Sequence, residues 1–142
     1  QSASNSTNGG ERLISQPLLR GTNVIFSTLL PSPSPCSVGG SSWLMELDAF
    51  SGGAPKSAPF DLNQDGIFDK TDYIVKDSNG NTISVIPGGQ KSTVGAALTP
   101  TVFLTPDKTK EVKVISGSIG LSTVSENPGK GASSRQNWRI LN

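Results

Sequence analysis

Histidine is absent from the 142 residues. That removes the commonest general base and the commonest transition-metal ligand, so a Ser-His-Asp triad and a histidine-built zinc site are both excluded within this chain. Cysteine occurs once, at Cys36, so no internal disulfide can close and the cysteine count does not settle the redox compartment. A buried apolar thiol, a bond to a partner chain and a free thiol all stay open for it. Charge of one sign is lacking too. Twelve Lys and Arg stand against eleven Asp and Glu, a net charge of +1, with the cations spread evenly. No basic stripe points to nucleic acid and no run points to an anionic membrane. No apolar run reaches the roughly 18 residues of a membrane-spanning helix, and no signal-peptide pattern is present. The first residue is Gln1 rather than Met, as expected of a processed or cut product. Apolar side chains make up only 33% of the chain. Such a thin core leads us to expect support from a partner or from further parts of the same protein.

Glycine (16) and proline (10) are plentiful and have no collagen-like period. They suit short strands joined by tight turns. Residues 1–10, small and polar, read as a disordered leader, and 11–142 as the structured part. The segment 23–30 (NVIFSTLL) is β-branched and apolar and ends at a proline, which predicts a buried strand. In 41–50, Trp43, Met45, Leu47 and Ala49 alternate with Leu44, Glu46 and Asp48, which predicts a strand with its mostly apolar side as one face. Further strands are expected at 73–75, 82–86, 100–104, 111–116, 120–124 and 135–141. Asn79-Gly80 marks a hairpin turn, and residues 105–110 a turn rich in charge. No helical period lasts more than two turns, although a single helical turn is expected after Asp69. Trp43 and Trp138 read as packing residues on alternating strands.

The acid is concentrated in one place. Residues 61–72 read D-L-N-Q-D-G-I-F-D-K-T-D and hold four of the eleven acidic residues. Oxygen-bearing side chains fall at loop positions 1, 3, 5, 9 and 12: Asp61, Asn63, Asp65, Asp69 and Asp72. Gly66 stands at the sharp turn, and Ile67 at position 7 would offer its backbone carbonyl. Phe68 would point away from the ion into the core. This is EF-hand spacing with Asp in place of the usual Glu at position 12. The chemistry needs such a pattern, because Ca2+ is hard and takes six to eight oxygens, and alternate residues of a tight loop can point at one centre. Aspartates so close would repel one another without a cation. Proline-rich and β-like flanks replace the helices of a calcium sensor, so the ion is expected to staple the loop.

Three stretches together carry a resemblance: C-S-V-G-G-S-S-W-L-M-E-L-D-A-F-S-G-G from Cys36, the acidic loop after it, and the ending S-R-Q-N-W-R-I-L from Ser134. Their composite resembles the C-terminal region of the PilY/PilC proteins, type IV pilus biogenesis factors and tip adhesins. The resemblance implies an all-β fold, a partial β-propeller of about two to three blades of four-stranded antiparallel sheet. It also implies calcium held by Asp61, Asn63, Asp65, Asp69 and the Ile67 carbonyl, with Asp72 as an additional acid. The implied setting is the cell surface or pilus tip of a Gram-negative bacterium. The implied partners are the rest of the same propeller, pilus-tip or minor pilin proteins, and a host or abiotic surface. No catalysis is expected: there is no cofactor-stacking pattern, and the acids are already accounted for. Two alternatives remain, a calcium-stabilised adhesin unrelated to pili and a dockerin-like docking module. The second normally carries two such loops with helices, and this chain has one.

Overall fold

A computed structural model describes residues 10–32, 40–78 and 81–128. Cys36, the Asn79-Gly80 turn, the strand expected at 135–141 with Trp138, and nearly all of the leader lie outside the described residues. The described strands are β1 (Arg12–Leu13), β2 (Leu18–Arg20), β3 (Asn23–Leu30), β4 (Ser41–Asp48), β5 (Ile74–Ser78), β6 (Asn81–Val85), β7 (Gly89–Lys91), β8 (Thr101–Leu104), β9 (Glu111–Gly117) and β10 (Gly120–Glu126). One 3-10 turn, Lys70–Asp72, is the helical turn expected after Asp69. The expected strands within the described residues are all present. The short β1, β2 and β7 lie where no alternation was long enough to read.

Among the described residues every pairing is antiparallel and the sheets are open. The first sheet runs β1-β3-β4-β7, with β2 also paired to β3. Strand β1 meets Leu29 and Thr28, whereas β2 meets Ile25, Val24 and Asn23. The two are therefore halves of one interrupted edge, and the sheet is four strands wide. Pro17, which has no N–H to give a ladder, lies in the break between them. The second sheet, β10-β9-β8, has three strands, and β5-β6 is a hairpin on its own. Among the described residues, only the first sheet matches the expected blade width.

The core lies between the first two sheets. It consists of Ile25, Leu44 and Ile115 from strands, with Phe60, Val94 and Ala97 from connecting segments, and Leu18 and Val124 packed against them. Each large member contributes about 1.5–3 kcal/mol by leaving water. Gly117 lets the chain at Val94 approach β9 so closely that any side chain there would collide with the Val94 carbonyl.

Alternation left open which face of β4 points inward, and the expected placement of Phe68 is corrected. Strand β4 turns Ser42, Leu44, Glu46 and Asp48 inward and leaves Trp43 37% exposed. The apolar stripe is the outer one because the inner polar groups have partners. The Ser42 hydroxyl donates to the Gly95 carbonyl (2.5 Å) and accepts from Ala97 N–H (3.1 Å). Asp48 accepts from the N–H groups of Phe50 and Ser51 (3.1 and 2.8 Å), which closes the following turn. Phe68, expected to point into the core, is half-buried and outside the core cluster, and Phe60, just before the loop, is the aromatic that fills the core.

Beside the apolar core lies a cluster of buried charge. Lys113 on β9 is 1% exposed and pairs with Glu46 on β4 at 2.6 Å and with Glu126 on β10. Arg20 on β2 pairs with Glu111 on β9. Asn23 donates to the other Glu46 oxygen at 2.7 Å. Burial holds the Lys113 ammonium below its ordinary range, and the neighbouring Glu46 offsets only part of that shift.

Candidate cation site

The acidic loop starts from fixed ground. Phe60 is fully buried and bridges Glu126 at the end of β10, and Asn127 N–H donates to the Pro59 carbonyl at 3.1 Å. Inside the loop the chain reverses through two left-handed residues, Gln64 (φ 63°) and Gly66 (φ 79°). Glycine suits the second because it meets no Cβ penalty there.

Asp72 organises the loop from beneath. It is fully buried. One carboxylate oxygen accepts from the N–H groups of Leu62 (2.7 Å) and Asn63 (3.3 Å), and the other from Asp69 N–H (3.1 Å). One side chain thus ties the first turn of the loop to its last. The bond from Asp69 N–H to Asp72 is half of a capping box, whose other half is the bond from Asp72 N–H to the Asp69 side chain, and that side chain also accepts from Thr71 N–H (2.8 Å).

The remaining oxygens form an exposed rim. Asp61 accepts from Asp65 N–H (3.1 Å) and Gly66 N–H (2.8 Å). The Asn63 side-chain oxygen accepts from Asp65 N–H (3.0 Å), and its amide donates to Asp65 (2.9 Å) and to the Thr71 hydroxyl (2.8 Å). Asp65 accepts from Ile67 N–H (2.7 Å). The Thr71 hydroxyl donates to Asp69 (2.7 Å), so Thr71 joins Asp69 to Asn63. The Thr71 N–H, then its hydroxyl, hold the Asp69 carboxyl below the usual range. Thr71 was missed by the spacing argument because it sits off the alternate positions. Ile67 is 59% exposed.

The structure therefore links Asp61, Asn63, Asp65 and Asp69 into one hydrogen-bonded rim and places Asp72 below it. Among the described residues, no three or more Asp, Glu, Cys or His side chains converge closely enough to form a metal-holding group. The donor chemistry of the rim nevertheless suits a hard cation. Every candidate atom is oxygen, and a carboxylate that accepts one or two hydrogen bonds keeps lone pairs free. The rim opens on a cleft of about 530 Å³ lined by Asp61, Asp65, Gly66, Gln90, Lys110 and Thr123 among others. Lys110 was not foreseen, because nothing in its own surroundings in the sequence connects it to the loop. No helix among the described residues is long and apolar enough to cross a membrane.

Comparison with known proteins adds a second line of argument. No family model matches the chain. It is 33% identical over 138 residues to the type IV pilus biogenesis factor PilY1 of Pseudomonas aeruginosa strain PAK, covering 96% of this chain and 11% of that protein. A PilY1 homolog of Xylella fastidiosa is 59% identical over 46 residues, which is 32% of this chain and 3% of the relative. The crystal structure of the Pseudomonas aeruginosa PilY1 C-terminal domain aligns with a TM-score of 0.59 at 24% identity, covering 84% of this chain and 21% of that one. That alignment shows a shared fold. The chain spans about a tenth of the length of the PilY1 proteins it matches.

Proposed function

We propose, for a chain that belongs to the PilY1-type family of type IV pilus biogenesis factors, that this stretch is a calcium-stapled, non-catalytic portion of the pilus factor. The carrying observation is the rim of Asp61, Asn63, Asp65 and Asp69, held over a buried Asp72 in a stretch homologous to PilY1 over 96% of its length. These four side chains, with the Ile67 carbonyl, would hold Ca2+. Asp72 would keep its engagement with three backbone N–H groups and preserve the shape of the loop. Bound calcium would supply the positive charge that lets several carboxylates share one small volume.

Calcium in this place would act as a structural clamp. The loop has few apolar contacts of its own beyond Phe60, and it connects the core to the exposed hairpin β5-β6. Binding only the folded loop would stabilise it by mass action. The open sheets fit two or so blades of a propeller completed by the rest of the protein. In that setting the stretch would support pilus assembly and surface attachment at the exterior of a Gram-negative cell, alongside other pilus proteins. A dockerin-like module is disfavoured by the flanks, a β-bridge at Phe60 and strand β5 where that module carries helices.

Calorimetric titration with calcium tests the reading, with the double variant Asp61→Ala/Asp65→Ala as control. One site in the wild type and none in the variant is expected. Heat of binding that survives in the variant would remove the loop from the account.

A further inference from the structure

The cleft beside the loop contains a cation that belongs to the protein. Lys110 ends the turn between β8 and β9 and is half-buried. Its backbone is fixed: its carbonyl accepts from Thr105 N–H (2.9 Å) and from the Thr105 hydroxyl (2.8 Å), and its N–H donates to that hydroxyl (3.1 Å). From this anchor the side chain reaches the acidic loop. A methyl group added at Gly66 would lie 2.5 Å from Lys110 Nζ, so the ammonium rests against the turn of the loop. The Gly66 N–H donates to Asp61 at 2.8 Å, and Asp61, Asp65 and Lys110 line the same cleft.

We infer that Lys110 is a tethered counter-ion of the acidic loop, one that quiets repulsion among the rim carboxylates when no metal is bound and opposes calcium when it arrives. The inference rests on the calcium reading only for its second half. A single positive charge on a lysine stem lowers repulsion among aspartates without satisfying their coordination, since an ammonium offers three donors in one small volume. A divalent ion entering the same cleft meets that charge at short range and must push it toward solvent. The loop would thereby keep its shape without calcium and release the ion more readily than its carboxylates alone would allow.

The test uses the intact protein with Lys110→Gln, which keeps most of the stem and removes the charge, and Lys110→Arg, which keeps the charge. In chelator, limited proteolysis of residues 54–76 is expected to run about three- to tenfold faster in Lys110→Gln than in the wild type, and the gap should narrow as salt rises. Lys110→Arg should behave like the wild type. In calcium titrations Lys110→Gln should bind about three- to tenfold more tightly. Equal cleavage of Lys110→Gln and wild type in chelator would overturn the counter-ion role. Equal calcium affinity in the two would overturn its opposition to the metal, with the calcium reading intact. If the wild type takes up no calcium, the calcium reading fails and the chelator arm alone decides for or against Lys110. A urea midpoint shared by all three proteins in chelator is expected, and a large drop for Lys110→Gln would replace the counter-ion role by a general structural one.

Discussion

The molecule concentrates charge in two regions and treats them in opposite ways. In the acidic loop, four aspartates lie within a dozen residues: Asp65 and Asp69 are exposed, Asp61 is part-buried at the rim, and Asp72 alone of the four is buried beneath it. Between the sheets, Glu46, Glu111 and Glu126 meet Lys113 and Arg20, drawn from four strands, with all but Arg20 almost wholly buried. The loop gathers like charges by local spacing, with Lys70 of its own sequence and Lys110 from the neighbouring turn as the cations near it. The inter-sheet cluster gathers opposite charges by folding and keeps them from water. The difference teaches where each kind of charge is useful. Exposed and alike, charges can be exchanged with a mobile ion. Buried and paired, they fix one arrangement of the two sheets, because separating them would leave unpaired charge in a low-dielectric interior.

The largest way to break this comparison is Lys113→Met. It strands Glu46 and Glu126 without their shared cation and should cost about 3–5 kcal/mol in urea unfolding. Adding Glu46→Gln and Glu126→Gln to that variant should recover part of the loss, since neutral amides no longer need the cation. A loss below about 1 kcal/mol for Lys113→Met would mean that the cluster tolerates unpaired charge and is wetter than its burial implies. Next in size is Asp72→Ala. Three backbone N–H groups lose their acceptor, at a cost of about 1–3 kcal/mol, and residues 54–76 should become the first site of proteolysis even in chelator. Digestion that starts elsewhere would show that Asp72 is not what holds the loop.

The two regions were also unequally legible. The loop could be read from the sequence because its logic is local: Asp61, Asn63, Asp65 and Asp69 sit at ligand spacing, Gly66 sits at the turn, and the helical turn follows Asp69. The inter-sheet cluster was invisible, since Glu46 and Lys113 have meaning only once β4 and β9 face each other. The same blindness left the inward face of β4 open. Trp43, Met45 and Leu47 form the more apolar stripe, and only the long-range partners of Ser42 and Glu46 explain why the polar stripe points inward. Asp72 shows the boundary within the loop itself: its spacing marked it as a fifth acid, while its burial and its three N–H partners emerge from the folded chain. The third prediction follows from this division. Asp61→Ala/Asp65→Ala should leave the urea midpoint in chelator nearly unchanged, because Asp65 is exposed and Asp61 is only part-buried at the rim. A collapse of stability without calcium would make the rim a structural element in the same sense as the buried cluster.

A last, small effect belongs to a carboxylate that resembles the loop in exposure and the cluster in being fully engaged. Asp107, in the turn that carries Lys110, accepts from the hydroxyls of Thr105 (2.6 Å) and Thr109 (2.7 Å) and from Thr109 N–H (3.2 Å). These bonds, that from the Thr105 hydroxyl foremost, lower its pKa from the ordinary 3.8 to about 2. A carboxyl whose folded pKa lies below its unfolded value binds more protons when unfolded, so its contribution is complete above about pH 4 and fades as pH falls toward 2. Asp107→Asn cannot titrate. The stability difference between wild type and Asp107→Asn, followed by urea unfolding, should therefore stay level from about pH 7 to 5 and shrink from about pH 4 to 2. A difference that stays level throughout would mean that the three bonds to Asp107 serve its shape and not its charge. Because the same turn fixes the backbone of Lys110, a narrowing that brings faster cleavage of residues 54–76 with it would tie this small acid-labile turn to the loop it faces.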